Sequence, residues 1–178
     1  MKKETLIKSE RIYQGIMVGL RKDYVRLSNG RESTRVICEH PGAVAVIGIT
    51  ADKKLVFIRQ YRRAPDKIMY EICAGLINKG ESRAAAAKRE LEEETGYVSG
   101  KIKYLTSAYT SPGYSTEIIH YFLATKLKKT VQKTDEDEII TVLTAEYSLC
   151  LKMIKSGLIK DNKTIAGILL AGQYAKLS

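Results

Sequence analysis

Tryptophan is absent from this chain of 178 residues, and phenylalanine occurs only twice. Tyrosine, of which there are 11, is therefore the natural stacking platform. The three cysteines, Cys38, Cys73 and Cys150, are far apart, odd in number and form no CxxC pair. That fits free thiols in a reducing cytosol better than a disulfide framework or a zinc site. The two histidines, His40 and His120, lie in separate segments with no Cys or Asp at ligand spacing, which leaves them structural or surface roles. Long apolar runs are also missing. The longest, Ala43 to Ile49, is broken by Gly48 and is far too short to cross a membrane. The opening MKKETLIKSE is basic but has no apolar h-region, so a signal peptide is not expected and the expected location is cytoplasmic. No internal repeat, linker or low-complexity tract interrupts the chain.

What is present is ordinary for a globular protein: 44% hydrophobic and 28% charged residues, in a length suited to one domain with a small appendage. The net charge of +10 comes from Lys and Arg scattered along the chain rather than gathered in a block. With no nucleic-acid motif to accompany it, this charge is expected to serve solubility and to attract a small anionic substrate. Neither a nucleic-acid nor a membrane partner is expected.

Residues 10 to 40 read as strands, with two alternating runs either side of Asn29-Gly30, a strong hairpin signal. Gly42 to Thr50 reads as a buried strand, Asp52 to Lys54 as a turn, and Leu55 to Arg62 as the returning strand. Met69 to Ala74 reads as one short strand. Further strands are expected over Lys101 to Tyr109, Ile118 to Ala124 and Ile139 to Leu143, and closing helices over Ala145 to Lys155 and Thr164 to Tyr174. The expected organisation is an N-terminal β unit over residues 1–40 followed by a main domain over 41–178.

The chain is organised around Gly75 to Tyr97, GLINKGESRAAAAKRELEEETGY. Its second half predicts a helix with an apolar stripe of Ala84, Ala87 and Leu91, closed by Gly96 as a left-handed cap. At about 3.6 residues per turn, Glu90, Glu93 and Glu94 share a face. Carboxylates crowded there repel one another, and a hard divalent cation would reverse that term. An acidic helix face is also a common solvated surface. Gly75 is expected to let the chain turn after a strand, and Glu81 to sit near the positive end of the helix. Arg89 is within reach of Glu93 or Glu81.

The spacing Gly75, Glu81, Arg89-Glu90-Leu91, Glu93-Glu94, Gly96-Tyr97 fills every fixed position of the Nudix box, and the chain resembles the Nudix hydrolases. The resemblance implies an α/β/α sandwich around a mixed β-sheet, preceded here by a small antiparallel β unit. It also implies Mg²⁺ or Mn²⁺ held by Glu90, Glu94 and the carbonyl of Ala74, with Glu93 a further or bridging ligand. Outside the box, HPGAVAV (40–46), RQYR (59–62), Glu71 to Gly75 and YTSPGYSTEIIH (109–120) are similar to the ADP-ribose pyrophosphatase branch. That likeness implies hydrolysis of ADP-ribose to AMP and ribose 5-phosphate. Arg62 is then implied as a phosphate clamp, Glu71 as a support for metal or ribose, and Arg35 as a nucleoside or ribose contact. Pro112, followed by Gly113, occupies the place of a substrate-class marker. Glu138 is implied as the group nearest the attacking water and Glu136 as the second choice. Glu93 stands beside them among the catalytic candidates.

The chain departs from the branch at Cys73, where proline is usual, and at Val36, where an acid usually follows the arginine. Tyr24 and Tyr114 are candidates for stacking the base. A homodimer through the N-terminal strands is implied as well. Two alternatives stand beside this reading: another nucleoside diphosphate sugar such as GDP-mannose, or a broader specificity, and a non-enzymatic sensor of an ADP-ribose-type ligand.

Overall fold

The structure is a computed structural model that describes residues 3–134 and 139–177. The chain divides into two compact units. One runs to Gly42 and takes Ala108–Ile118 as well; the other is Ala43–Ser107 with the chain from Ile119 onward.

The first unit is an antiparallel sheet of β1 (Thr5–Gln14), β2 (Gly19–Arg26) and β3 (Glu32–Glu39). Its β2–β3 turn is built as Asn29-Gly30 requires. Gly30 has φ 84°, and the Asn29 side chain accepts from the Arg31 N–H at 3.1 Å. Residues 108–118 lie along β3, where the Cys38 N–H donates to the Tyr114 carbonyl and the Thr116 N–H to the Cys38 carbonyl. β1 buries almost nothing, and Leu6, Ile7, Ile12 and Tyr13 are exposed along it.

The second unit is centred on β4 (Ala43–Gly48), whose six residues are all buried. β4 pairs antiparallel with β7 (Cys73–Leu76) and parallel with β9 (Ile118–Lys129), which lies next to β8 (Tyr97–Tyr109), so the sheet is mixed. Strand alternation sends Ala43, Ala45 and Ile47 to one face, where they pack with Ile168 and Ala171 of α3 (Asn162–Ala175) and Cys150 of α2 (Tyr147–Lys155). Val44 and Val46 point the other way, onto Ala86, Ala87 and Leu91 of α1 (Arg83–Thr95). The layers are therefore helix, sheet, helix, and the continuous apolar run of β4 is explained by burial on both sides. Gly167 lets α3 come close to the sheet: a Cβ there would lie 2.6 Å from Ile72 Cδ1. A second antiparallel sheet orders β10 (Thr141–Ala145), β5 (Leu55–Arg62) and β6 (Lys67–Glu71). Among the described residues, no helix is long and apolar enough to cross a membrane.

Two expectations need correction. The segment before the helix is two strands in different sheets, with β6 on β5 and β7 on β4. The chain changes sheet at the fully buried Ile72, whose N–H donates to Thr164 Oγ1 of α3 (2.9 Å) instead of to a ladder partner. The helix stripe is also displaced by part of a turn: Ala84 is exposed, and Ala86, Ala87 and Leu91 are the buried apolar positions of α1.

Candidate active site

Helix α1 starts where Ser82 accepts from the Ala85 N–H (3.2 Å) and ends at Gly96, which has φ 65° and donates its N–H to the Glu92 carbonyl. Leu91 faces the sheet, so the acidic side of the helix turns along β7. Gly75 is part of β7, and its φ lies outside the left-handed region. It is not the turn residue expected from the sequence. Its role is space, because a Cβ there would lie 2.1 Å from the Glu90 carboxyl carbon. Only glycine lets the Glu90 carboxylate lie against the strand.

Arg89 organises the carboxylates around it. Its Nε and one Nη reach both oxygens of Glu81 at 3.0 Å, and that same Nη donates to the Leu76 carbonyl at 2.9 Å. The other Nη donates to Glu90 at 2.7 Å and to Glu93 at 2.9 Å. One guanidinium thus ties the loop, the strand end and two helix carboxylates together. Its own pKa is raised, chiefly by the Glu81 hydrogen bonds. Glu81 is held below the usual carboxylate range by Arg89 first and by the Asn78 N–H as well. Glu94 is buried, and its Oε2 accepts from the Ala74 N–H at 3.0 Å. Among the described residues, no three His, Cys, Asp or Glu side chains are gathered into a metal-holding cluster.

A second polar group lies on β5, β6 and the start of α3. Glu71 is 2% exposed, and Arg62 forks onto it at 2.8 and 2.9 Å. Lys163 donates to the same carboxylate and, at 2.9 Å, to Asp161. Burial pushes the Glu71 pKa up, but the Arg62 and Lys163 cations outweigh it and the net direction is down. Asp161 also caps α3 by accepting from the Thr164 N–H and hydroxyl. Lys163, Asp161 and Thr164 were not singled out in the sequence. The only signal was the Asp-x-x-Thr start of a helix, and nothing local ties it to a strand 92 positions earlier.

Arg35, Pro112 and Gly113 belong to the first unit, where with Arg21 and Tyr114 they line a cavity of about 310 Å³. Arg35 pairs with Glu4 at 2.5 Å, so its carboxylate partner comes from the chain start, while Val36 is exposed. Tyr24 hydrogen-bonds Glu10 at 3.1 Å, whereas Tyr114 is largely exposed. Glu136 and Glu138 lie outside the described residues. The His120 ring is buried against the Ser107 hydroxyl, and burial lowers its pKa, with Arg83 adding to the shift. His40 Nδ1 accepts from the Gly42 N–H. Cys73 is a buried residue of the core beside α1.

The NUDIX domain matches residues 39–155. The chain belongs to the Nudix family. This Nudix chain is 44% identical over 176 residues to a methanol dehydrogenase activator of Bacillus methanolicus, covering 98% of this chain and 93% of that one. It is 40% identical, with the same coverage, to an ADP-ribose pyrophosphatase of Bacillus subtilis (strain 168). A GDP-mannose pyrophosphatase of Salmonella typhimurium is 35% identical over 133 residues, 70% of this chain and 69% of that one. Among solved structures, an ADP compounds hydrolase superposes with a TM-score of 0.88 at 22% identity, covering 99% of this chain and 96% of the other. The protein is a Nudix hydrolase, with the mixed α/β architecture of its family.

Proposed function

We propose that this Nudix hydrolase cleaves the pyrophosphate bond of ADP-ribose with the help of a divalent cation, giving AMP and ribose 5-phosphate. The observation that carries the reading is the acidic side of α1 packed along β7, where Gly75 makes room for the Glu90 carboxylate. The 40% identical ADP-ribose pyrophosphatase supports the choice of substrate. Glu90, Glu93, Glu94 and the Ala74 carbonyl are the groups that would hold Mg²⁺ or Mn²⁺. All are hard oxygen donors, and the space at Gly75 is filled by a carboxylate, so their chemistry fits such an ion. Bound there, the ion supplies charge neutralisation at the phosphates and lowers the pKa of a water.

The remaining work falls to the chain's own side chains. Arg62 offers paired donors to a phosphate oxygen, and in this structure its Nε–Nη edge is held by Glu71. Arg89 holds Glu90 and Glu93 in fixed rotamers. Glu138, or Glu136 in second place, is the proposed group that orients the attacking water or takes its proton, with Glu93 as the third candidate. Arg35, Pro112 and Gly113 contact the nucleoside or the terminal ribose.

The active form is proposed to be a cytoplasmic homodimer joined through the N-terminal strands. The exposed Leu6, Ile7, Ile12 and Tyr13 on β1 support this, and light scattering on the purified protein tests it. The GDP-mannose pyrophosphatase relative favours one second reading, in which the same chemistry acts on a different nucleoside diphosphate sugar. A panel of such sugars assayed with Mg²⁺ separates the two. The highest kcat/KM is expected for ADP-ribose, and a higher value for another sugar nucleotide would replace it as the substrate.

A further inference from the structure

Glu71 is a buried carboxylate with two cationic partners, and the two differ in freedom. Lys163 is 14% exposed and held from both ends, by Glu71 and by Asp161, on the capped first turn of α3. Asp161 is fixed in turn by the Thr164 N–H and hydroxyl, and the Thr164 hydroxyl by the Ile72 N–H. Arg62 is 43% exposed at the last position of β5, and its guanidinium donates to Glu71 through Nε and one Nη. Its pKa is raised chiefly by the Glu71 hydrogen bonds, and Glu94 of the acidic helix adds to the rise.

A phosphate that takes the Nε–Nη edge of Arg62 competes with Glu71 for it. If Arg62 turned to a phosphate with no other cation near Glu71, a buried carboxylate would be left unpaired, which is strongly unfavourable. Lys163 removes that obstacle, because it neutralises Glu71 from the protein side and stays in place. We propose that Lys163 is a positioning residue, the fixed counter-charge on Glu71 that lets Arg62 transfer its fork to a substrate phosphate. The proposal rests on the reading of Arg62 as the phosphate clamp. Lys163 touches no substrate in it.

The test measures kcat and KM for the sugar nucleotide the wild type turns over best. It also measures the Kd of a non-hydrolysable methylene-bridged analogue of that compound by calorimetry in EDTA. Lys163→Met is expected to raise both KM and Kd about tenfold or more while kcat stays within about twofold, because binding must now break the sole ion pair of a buried carboxylate. Lys163→Arg should restore most of the loss. In a Glu71→Gln background, where Arg62 is no longer held by a charge, the Lys163→Met effect should vanish. Lys163→Gln, which keeps a donor without the charge, takes the place of Lys163→Met with the same expectations if the latter does not fold. An unchanged KM and Kd, a fall confined to kcat, or a loss that persists with Glu71→Gln overturns the proposal. The underlying reading fails separately: Arg62→Ala would then leave KM and Kd unaltered whatever Lys163 does.

Discussion

At the scale of single residues, the clearest relation between sequence and site is steric. Glycine at position 75 is demanded by neither a turn nor a positive φ, but by the Glu90 carboxylate that occupies the volume a Cβ would take. Gly75→Ala therefore forces either the strand or Glu90 to move. Activity is expected to fall about a hundredfold, since small displacements of a reacting constellation cost that much. The accompanying overpacking should cost about 1–3 kcal/mol of stability in urea denaturation. An alanine variant with full activity would show that Glu90 need not lie where it does. Box residues Arg89, Glu81 and Glu93 could be grouped from sequence, because helix periodicity and a short loop bring them within one guanidinium's reach. The true reason for Gly75 could not be read that way, because it lies in a strand-to-helix contact. Lys163 was out of reach for the same cause: its partner Glu71 is joined to it only through the packing of α3 on the sheet.

Among the elements, β4 and α1 set the frame. β4 was legible as a buried strand because a near-continuous apolar run of that length suits a strand covered on both faces. The division of β6 from β7 was not legible. Both read as β-prone, and the switch depends on Ile72 giving its N–H to Thr164 on a distant helix. The position of α1 against β4 rests on three residues, Ala86, Ala87 and Leu91, of which only Leu91 is large. Leu91→Ala should cost about 2–5 kcal/mol, as loss of a buried leucine leaves a cavity. Chemical denaturation of the variant measures this, and a cost near zero would mean that the helix is held by its polar contacts instead.

For the whole molecule, the carboxylates Glu71 and Glu81 contribute to acid stability beside Glu10, Asp23, Glu39 and Asp52, whose pKa values are lowered as well. Glu71 and Glu81 both titrate below the ordinary Glu value of 4.5 in the folded chain. A depressed folded pKa means that the unfolded chain binds more protons as the pH falls. The stabilisation is therefore complete above about pH 4.5 and is lost progressively below it. Urea midpoints recorded from pH 7 down to pH 3 should decline below pH 4.5, and Glu81→Gln should flatten that decline while lowering the plateau. A midpoint that does not change with pH would contradict the ion pairing seen around Arg89 and Arg62. The net charge of +10 works in the same direction, since further protonation adds to self-repulsion.

The proposed function depends on metal-dependent hydrolysis of a pyrophosphate at the acidic side of α1. The most direct test follows AMP release from ADP-ribose by wild type and Glu93→Gln, each with Mg²⁺ and again with excess EDTA. Release is expected from wild type with Mg²⁺, none with EDTA, and a loss of about a hundredfold or more in Glu93→Gln with its thermal stability retained. Unchanged turnover in EDTA, or a Glu93→Gln variant as active as wild type, would contradict the proposed function.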